Sequence, residues 1–285
     1  MAIAPFAFSH IVNFSARALS GPGADTLIVG FVVEGDGKNL LVRGIGPTLA
    51  AFGITNFLPD PILTLFNASG GTAYTNDNWG MSSTGLDPSA LIASTAASVG
   101  AFALGPNSKD SSLLVTVNNG AHTTGFVTPG STSGVGLVEI YDVGGNPYSF
   151  LINVSARMNV TSGSGTLIAG LVIGGNAPKT VLIRGVGPGL TQFGVPAVLA
   201  DPQITVFSGS TILATNASWS AGTTPAAQIT SASVAVGAFP LPSGSKDAAL
   251  LMTLQPGSYT VQVTSVSGAT GVALVEVYDD SPGVQ

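Results

Sequence analysis

The stretch TLIVGFVVEGDGKNLLVRGIGPTLAAFGI, from Thr26 to Ile54, returns as TLIAGLVIGGNAPKTVLIRGVGPGLTQFGV, from Thr166 to Val195. The offset is 140 residues at Thr26/Thr166 and 141 at Arg43/Arg184, so the turn between the two apolar runs gained one residue. Matches continue outward in order: Asp60-Pro61 with Asp201-Pro202, LTLF ending at Phe66 with ITVF ending at Phe207, and Trp79 with Trp219, the only tryptophans. VGAF at Val99–Phe102 recurs at Val236–Phe239, SKD at Ser108–Asp110 recurs at Ser245–Asp247, and GVGLVEIYD (Gly134–Asp142) recurs as GVALVEVYD (Gly271–Asp279). The chain is one unit written twice.

The periodicity within each copy is that of strands. Tyr259, Val261 and Val263 alternate with Thr260, Gln262 and Thr264 after the turn Gln255-Pro256-Gly257, which reads as a half-buried antiparallel strand. Leu167–Ile173 and Thr180–Ile183 are continuously apolar and β-branched, with a Gly-Gly-Asn turn between them, and copy 1 puts Gly35-Asp36-Gly37 at the same place. Further strands are expected at 153–158, 203–207, 211–215, 248–254 and 272–278. Helical signal is confined to one turn after each Gly-Pro and a short stretch at 88–97 and 225–235. The expected fold is therefore all-β: two tandem jelly-roll-like β-sandwich domains of about eight strands each, with little helix. The other architecture compatible with this pattern is one continuous sheet structure in which the copies share a core. The expected division is an apolar N-terminal segment 1–9, copy 1 at 10–143, a short linker at 144–149, copy 2 at 150–280 and a tail at 281–285.

Composition narrows the function classes. Charged residues are 8% of the 285, and the net charge of −6 comes from 14 acidic against 8 basic groups. No basic stripe exists for a phosphate backbone, so nucleic acid is not an expected partner. Apolar runs break after four to eight residues, so no membrane span is expected. Cysteine is absent and there are two histidines, which removes His/Cys zinc chemistry. All eight basic residues sit at paired positions (Arg17/Arg157, Lys38/Lys179, Arg43/Arg184, Lys109/Lys246), and so do four acids per copy (Asp60/Asp201, Asp110/Asp247, Glu139/Glu276, Asp142/Asp279). So small and balanced a set reads as internal ion pairing and turn capping.

Candidate sites thin out when the copies are compared. GxGP at Gly44–Pro47 and Gly185–Pro188 superficially looks like a phosphate loop, yet it lacks the Gly-Lys-Ser/Thr and the helix that such a loop needs. His10 and His122 occur in copy 1 alone, with Phe150 and Tyr259 in the corresponding neighbourhoods of copy 2, and no GxSxG elbow accompanies them. Glu139 and Glu276 each precede Tyr-Asp inside a strand, a repeated placement that favours a structural role. Asn76-Asp77-Asn78 resembles a calcium-loop fragment, and copy 2 has Asn216-Ala217-Ser218 there. No cofactor and no catalytic set is expected.

The run LIRGVGPGLTQFGVPAVLADPQITVF (Leu182–Phe207), with PGSYTVQVTSVSGATGVALVEVYD (Pro256–Asp279), resembles a repeat of secreted and surface-anchored proteins of environmental bacteria. The resemblance covers nearly the whole of each copy. It implies an extracytoplasmic β-rich module without assigned activity, hence an extracellular or cell-surface location.

Two functions are expected from different classes. One is a structural subunit that binds copies of itself. Each copy has an aromatic lead-in, Pro5-Phe6-Ala7-Phe8 and Pro147-Tyr148-Ser149-Phe150, and the first has no domain before it. If lead-ins dock on the preceding domain, the first needs copy 2 of another subunit, which builds a fibre through Ile3, Pro5, Phe6 and Phe8. The other is a module binding surface glycans, with Trp79 and Trp219 as its candidate aromatic platform.

Overall fold

The computed structural model describes residues 8–81, 87–127, 130 and 132–280. Copy 1 contributes eight strands: β1 (Ser9–Ser20), β2 (Leu27–Glu34), β3 (Lys38–Ile45), β4 (Ile62–Phe66), β5 (Thr72–Asn76), β6 (Ser111–Val117), β7 (Gly120–Val127) and β8 (Gly134–Gly145). Copy 2 repeats them as β9 (Phe150–Val160), β10 (Leu167–Gly175), β11 (Lys179–Val186), β12 (Pro202–Ser208), β13 (Thr211–Asn216), β14 (Ala248–Leu254), β15 (Gly257–Ser265) and β16 (Gly271–Asp279). The fold is all-β. Among the described residues the α-helices, α1 (Ser89–Ser98) and α2 (Ala226–Ala235), fall where the sequence pattern put short helices, and six-residue 3-10 helices begin at Pro47 and Pro188, the prolines of the two Gly-Pro pairs.

Every strand pairing named here is antiparallel. In copy 1, β6-β3-β8-β1 form one four-stranded block and β2-β7-β4-β5 the other; copy 2 builds β14-β11-β16-β9 and β10-β15-β12-β13 in the same order. The blocks do not end at the copy boundary. β1 also pairs with β10 from Ser9↔Gly175 to Arg17↔Ile168, and β9 pairs with β2 from Phe150↔Glu34 to Arg157↔Ile28. Each sandwich thus lends one block to each of two eight-stranded sheets that run through both copies.

The reason lies in the first strand of each copy. Ile11, Phe14, Ala16 and Ala18 of β1 are buried with intervening residues half-buried or exposed, and Leu151, Val154, Ala156 and Met158 of β9 do the same. Both strands have a buried face and two free edges, and a partner from each copy takes each edge. One contiguous apolar core results, containing Ile11, Phe31 and Val42 together with Leu151, Leu171 and Ile183. The copies therefore share a core, as the continuous-sheet architecture requires, while each remains an eight-stranded sandwich.

Glycine permits the joint to close. Ser15 faces Gly170 across β1–β10, and Ser155 faces Gly30 across β9–β2. A Cβ on Gly170 would lie 2.4 Å from the Ser15 hydroxyl oxygen, and one on Gly30 would lie 2.8 Å from that of Ser155. The helices cover the outer faces. Ile92 and Ala96 of α1 pack with Leu41, Ile45 and Trp79, and Ile229 and Ala232 of α2 pack with Leu182, Ala249 and Tyr278.

Candidate functional site

The outer face of β3 carries Leu41, Arg43 and Ile45, because a strand turns alternate side chains to one side. Arg43 is fully buried there. Its partner in register on β8 is Glu139, whose Oε2 accepts from Arg43 Nε at 2.9 Å, while the Tyr141 hydroxyl donates to Oε1 at 2.9 Å. Arg43 Nη1 donates to the Phe102 carbonyl, and the Phe102 ring stacks 4.5 Å from the guanidinium carbon. Copy 2 repeats each contact: Arg184 with Glu276, Tyr278 and the Phe239 carbonyl and ring. Burial and the adjacent carboxylate push both tyrosine hydroxyls far above their ordinary pKa. The two strand glutamates are thus the counter-ions of buried arginines, the structural role their repetition suggested.

The GxGP turns hold an anion, and it is the chain's own. Asp110 Oδ1 accepts from Gly46 N at 2.8 Å and Thr48 N at 3.3 Å, and its Oδ2 accepts from the hydroxyls of Thr48 and Ser108. Asp247 does the same with Gly187 N, Gly189 N and the Ser245 hydroxyl. Glycine is required because a Cβ on Gly46 would lie 2.0 Å from the Leu58 carbonyl oxygen, as one on Gly187 would from that of Leu199. The loop-like sequence is a carboxylate cradle filled from within. Asn76 and Asn216 are likewise framework: each Oδ1 accepts a backbone N–H of the facing block, from Ser112 and Ala249.

Trp79 and Trp219 lie beneath the helices. Trp79 is 8% exposed, its indole N–H bonded to the Gly105 carbonyl, and Trp219 packs partly buried with its N–H on the Ser245 hydroxyl.

At the junction of the copies the structure brings together residues the sequence left apart. Phe8, His10 and Phe150 form an aromatic triangle with centroids 5.0–5.6 Å apart. His10 Nε2 lies 3.4 Å from Asp142 Oδ2, which also pairs with Lys38 Nζ at 2.5 Å. Burial opposes the charged form of Asp142, but hydrogen bonds from His10 and Lys38 outweigh it and hold the carboxyl below its ordinary value. In copy 2 Lys179 pairs with Asp279 at 2.7 Å, and Phe150 stands in the place of His10. A groove of about 1280 Å³ opens beside this cluster, between α2 and the lead-in, lined by Phe8, His10, Phe150, Ala235, Tyr278 and Asp280 among others. His10 meets Asp142 through the β1–β8 pairing within copy 1, and Phe150 joins them across the boundary between the copies, which no local motif signals.

Of the lead-in residues, Ile3, Pro5 and Phe6 lie outside the described residues. Phe8 is described, and it sits on copy 2 of its own chain: its N–H donates to Asn176 Oδ1 and its carbonyl accepts from Asn176 N. Ser9 donates to the Ala177 carbonyl. The second lead-in makes the equivalent dock on copy 1, where Ser149 donates to the Gly35 carbonyl and Asn146 N to the Gly37 carbonyl. The expectation that the first lead-in lacks a domain to dock on therefore needs correction for Phe8, because the internal two-fold arrangement folds copy 2 back onto it.

No family model matches the chain, and no curated protein matches it in sequence. Solved structures that overlap the fold include the major capsid protein P2 from Bacteriophage PM2, at 9% identity over 95% of this chain and 97% of that one, with a TM-score of 0.23. The tandem CBM51 modules of the family 98 glycoside hydrolase from Streptococcus pneumoniae overlap at 7% identity over 87% and 81%, TM-score 0.24. A DUF4785 family protein from Legionella pneumophila overlaps at 7% identity over 98% and 85%, TM-score 0.23. At such TM-scores these likenesses carry no argument about what the chain does.

Proposed function

We propose that this chain is a non-catalytic structural subunit that assembles with copies of itself, head to tail, outside the cell. One observation carries the reading. The paired groups that resemble chemical sites are engaged with one another at the same atoms in both copies: arginine with glutamate, aspartate with the GxGP amides, and asparagine with backbone. Repetition of a contact in both copies marks framework. What the framework leaves outside is short of charge and includes exposed Phe52, Phe193, Leu91, Val234 and Ile212. Scattered apolar side chains are ordinary on a surface, yet with charges at 8% of the chain little opposes association. A glycan-binding module is the alternative reading; it needs open aromatic faces, and of its two candidate residues Trp79 is buried and Trp219 half-buried.

Light scattering on the purified chain, native and after refolding at rising concentration, tests the proposal together with negative-stain electron microscopy. The expected result is particles that are multiples of the 28.3 kDa chain, with filaments in the images. A monodisperse 28.3 kDa species under both conditions overturns assembly.

A further inference from the structure

The joint between the copies has two halves. In one, β9 of copy 2 pairs with β2 of copy 1; in the other, β1 of copy 1 pairs with β10 of copy 2. Ile11 meets Leu151 where β1 and β9 touch, and these residues hold the same position in the two copies, so an approximate two-fold axis passes between them. The surface that copy 1 presents is thus the surface that copy 2 presents.

Chain connectivity treats the halves differently. Residues 146–149 connect β8 to β9 and tie the second lead-in to the turn at Gly35–Gly37. No peptide link ties Phe8 and β1 to copy 2; that half is held by strand pairing, side-chain packing and the Asn176 and Ala177 hydrogen bonds. Copy 1 of a second chain carries the same residues in the same register and fits there equally well. A short connection between two exchangeable units is also the kind of hinge that favours exchange.

We propose that chains assemble by exchanging this joint, copy 1 of one chain taking the place of copy 1 against copy 2 of the next, with β1 on β10 and β9 on β2 made between molecules. The occupant is a second copy of this chain. The proposal rests on the assembly reading above and names its interface. It also recovers the lead-in contact expected from the sequence, since Phe8 and Ser9 then dock on another subunit's copy 2. Exchange keeps the strand pairs and the shared core of each joint, and what it gives up is the turn at 146–149, where Ser149 N donates to the Asn146 carbonyl while Asn146 holds to its own copy 1. A short tether keeps the copies of one chain at an effective concentration of roughly mM, so the closed form dominates in dilute solution. Because opening the joint exposes the core, exchange occurs as chains fold together at high concentration.

Engineered disulfides read the joint directly, because the chain has no cysteine of its own. A Cβ on Gly170 lies 3.8 Å from the Ser15 Cβ, the usual separation in a disulfide. The Ser15→Cys/Gly170→Cys protein is refolded at high concentration, oxidised, separated by size, and each fraction is run on denaturing gels without reductant. In the monomer fraction the bond is within one chain. In the assembled fraction the expected result is a ladder of multiples that collapses to monomer on reduction. An assembled fraction that runs wholly as monomer overturns exchange while leaving assembly standing. No assembled fraction, native or refolded, overturns the assembly reading and exchange with it. The Gly30→Cys/Ser155→Cys pair puts the same question to the other half of the joint and serves if the first pair does not fold.

Discussion

Ile11 and Leu151, one repeat apart in sequence, face each other across the axis that relates the two copies, and both are fully buried. Their contact makes the two sandwiches one thermodynamic body, because the core on either side of it is continuous. Calorimetry of the intact chain should show one unfolding transition. Ile11→Ala and Leu151→Ala should each cost about 2–5 kcal/mol and move that single transition. The double variant should depart from the sum by about 0.5–3 kcal/mol, since the two share an environment. Two separable transitions, only one of them moved by Leu151→Ala, would contradict the shared core.

A second prediction concerns the buried pair of Arg43 and Glu139. Removing one partner strands the other charge where water cannot reach it. Arg43→Met alone should destabilise by about 3–5 kcal/mol in urea titrations. Arg43→Met with Glu139→Leu should recover most of that loss, because the pair's desolvation goes with it. If the single variant costs as little as the double, removal of Arg43 does not leave Glu139 as a buried, unpaired charge.

Acid should cost stability at the junction in copy 1. Asp142 is held below its ordinary pKa in the folded chain, with hydrogen bonds from His10 and Lys38 overcoming burial. A depressed carboxyl contributes stability that is present above the unfolded value, about 3.9, and is lost as pH falls through the folded one. His10→Phe, which installs the residue that Phe150 supplies in the other copy, removes one of those hydrogen bonds and brings the folded pKa nearer the unfolded one. Its urea midpoint should fall less steeply below about pH 4 than that of the parent chain. An unchanged slope would mean that Lys38 and the Gly144 N–H hold the Asp142 charge without His10.

Strands, turns and the duplication were legible in the sequence, since alternation in Tyr259–Thr264 fixes which face is buried. Alternation says nothing about which edge meets which partner, so the β1–β10 and β9–β2 pairings were hidden. A faint signal existed: Ser15 and Ser155, and Gly30 and Gly170, are repeated pairs within strands, and a glycine there signals close approach by a neighbour. Arg43 with Glu139 was legible as ion pairing because both recur. The cluster of Phe8, His10, Phe150 and Asp142 was not, because Phe150 reaches the copy 1 residues only once the edges of the two copies pair.

The GxGP turn gives the last test, since it asks whether a phosphate-like motif can be a filled carboxylate cradle. Gly46→Ala places a methyl group 2.0 Å from the Leu58 carbonyl oxygen, which neither backbone can yield, so little folded protein should be recovered. Gly53→Ala is the control: its φ of 78° disfavours a side chain, but nothing lies within 4 Å, and the cost should be about 1–2 kcal/mol. Asp110→Asn keeps the shape and removes the charge that four donors share, so it should cost about 1.5–3 kcal/mol. Inorganic phosphate at about 10 mM should leave the Tm of the parent chain unmoved, because a ligand stabilises only by occupying a site in the folded state and Asp110 already occupies this one. A rise in Tm with phosphate that disappears in Gly46 or Asp110 variants would show instead that the aspartate yields its place to an external anion.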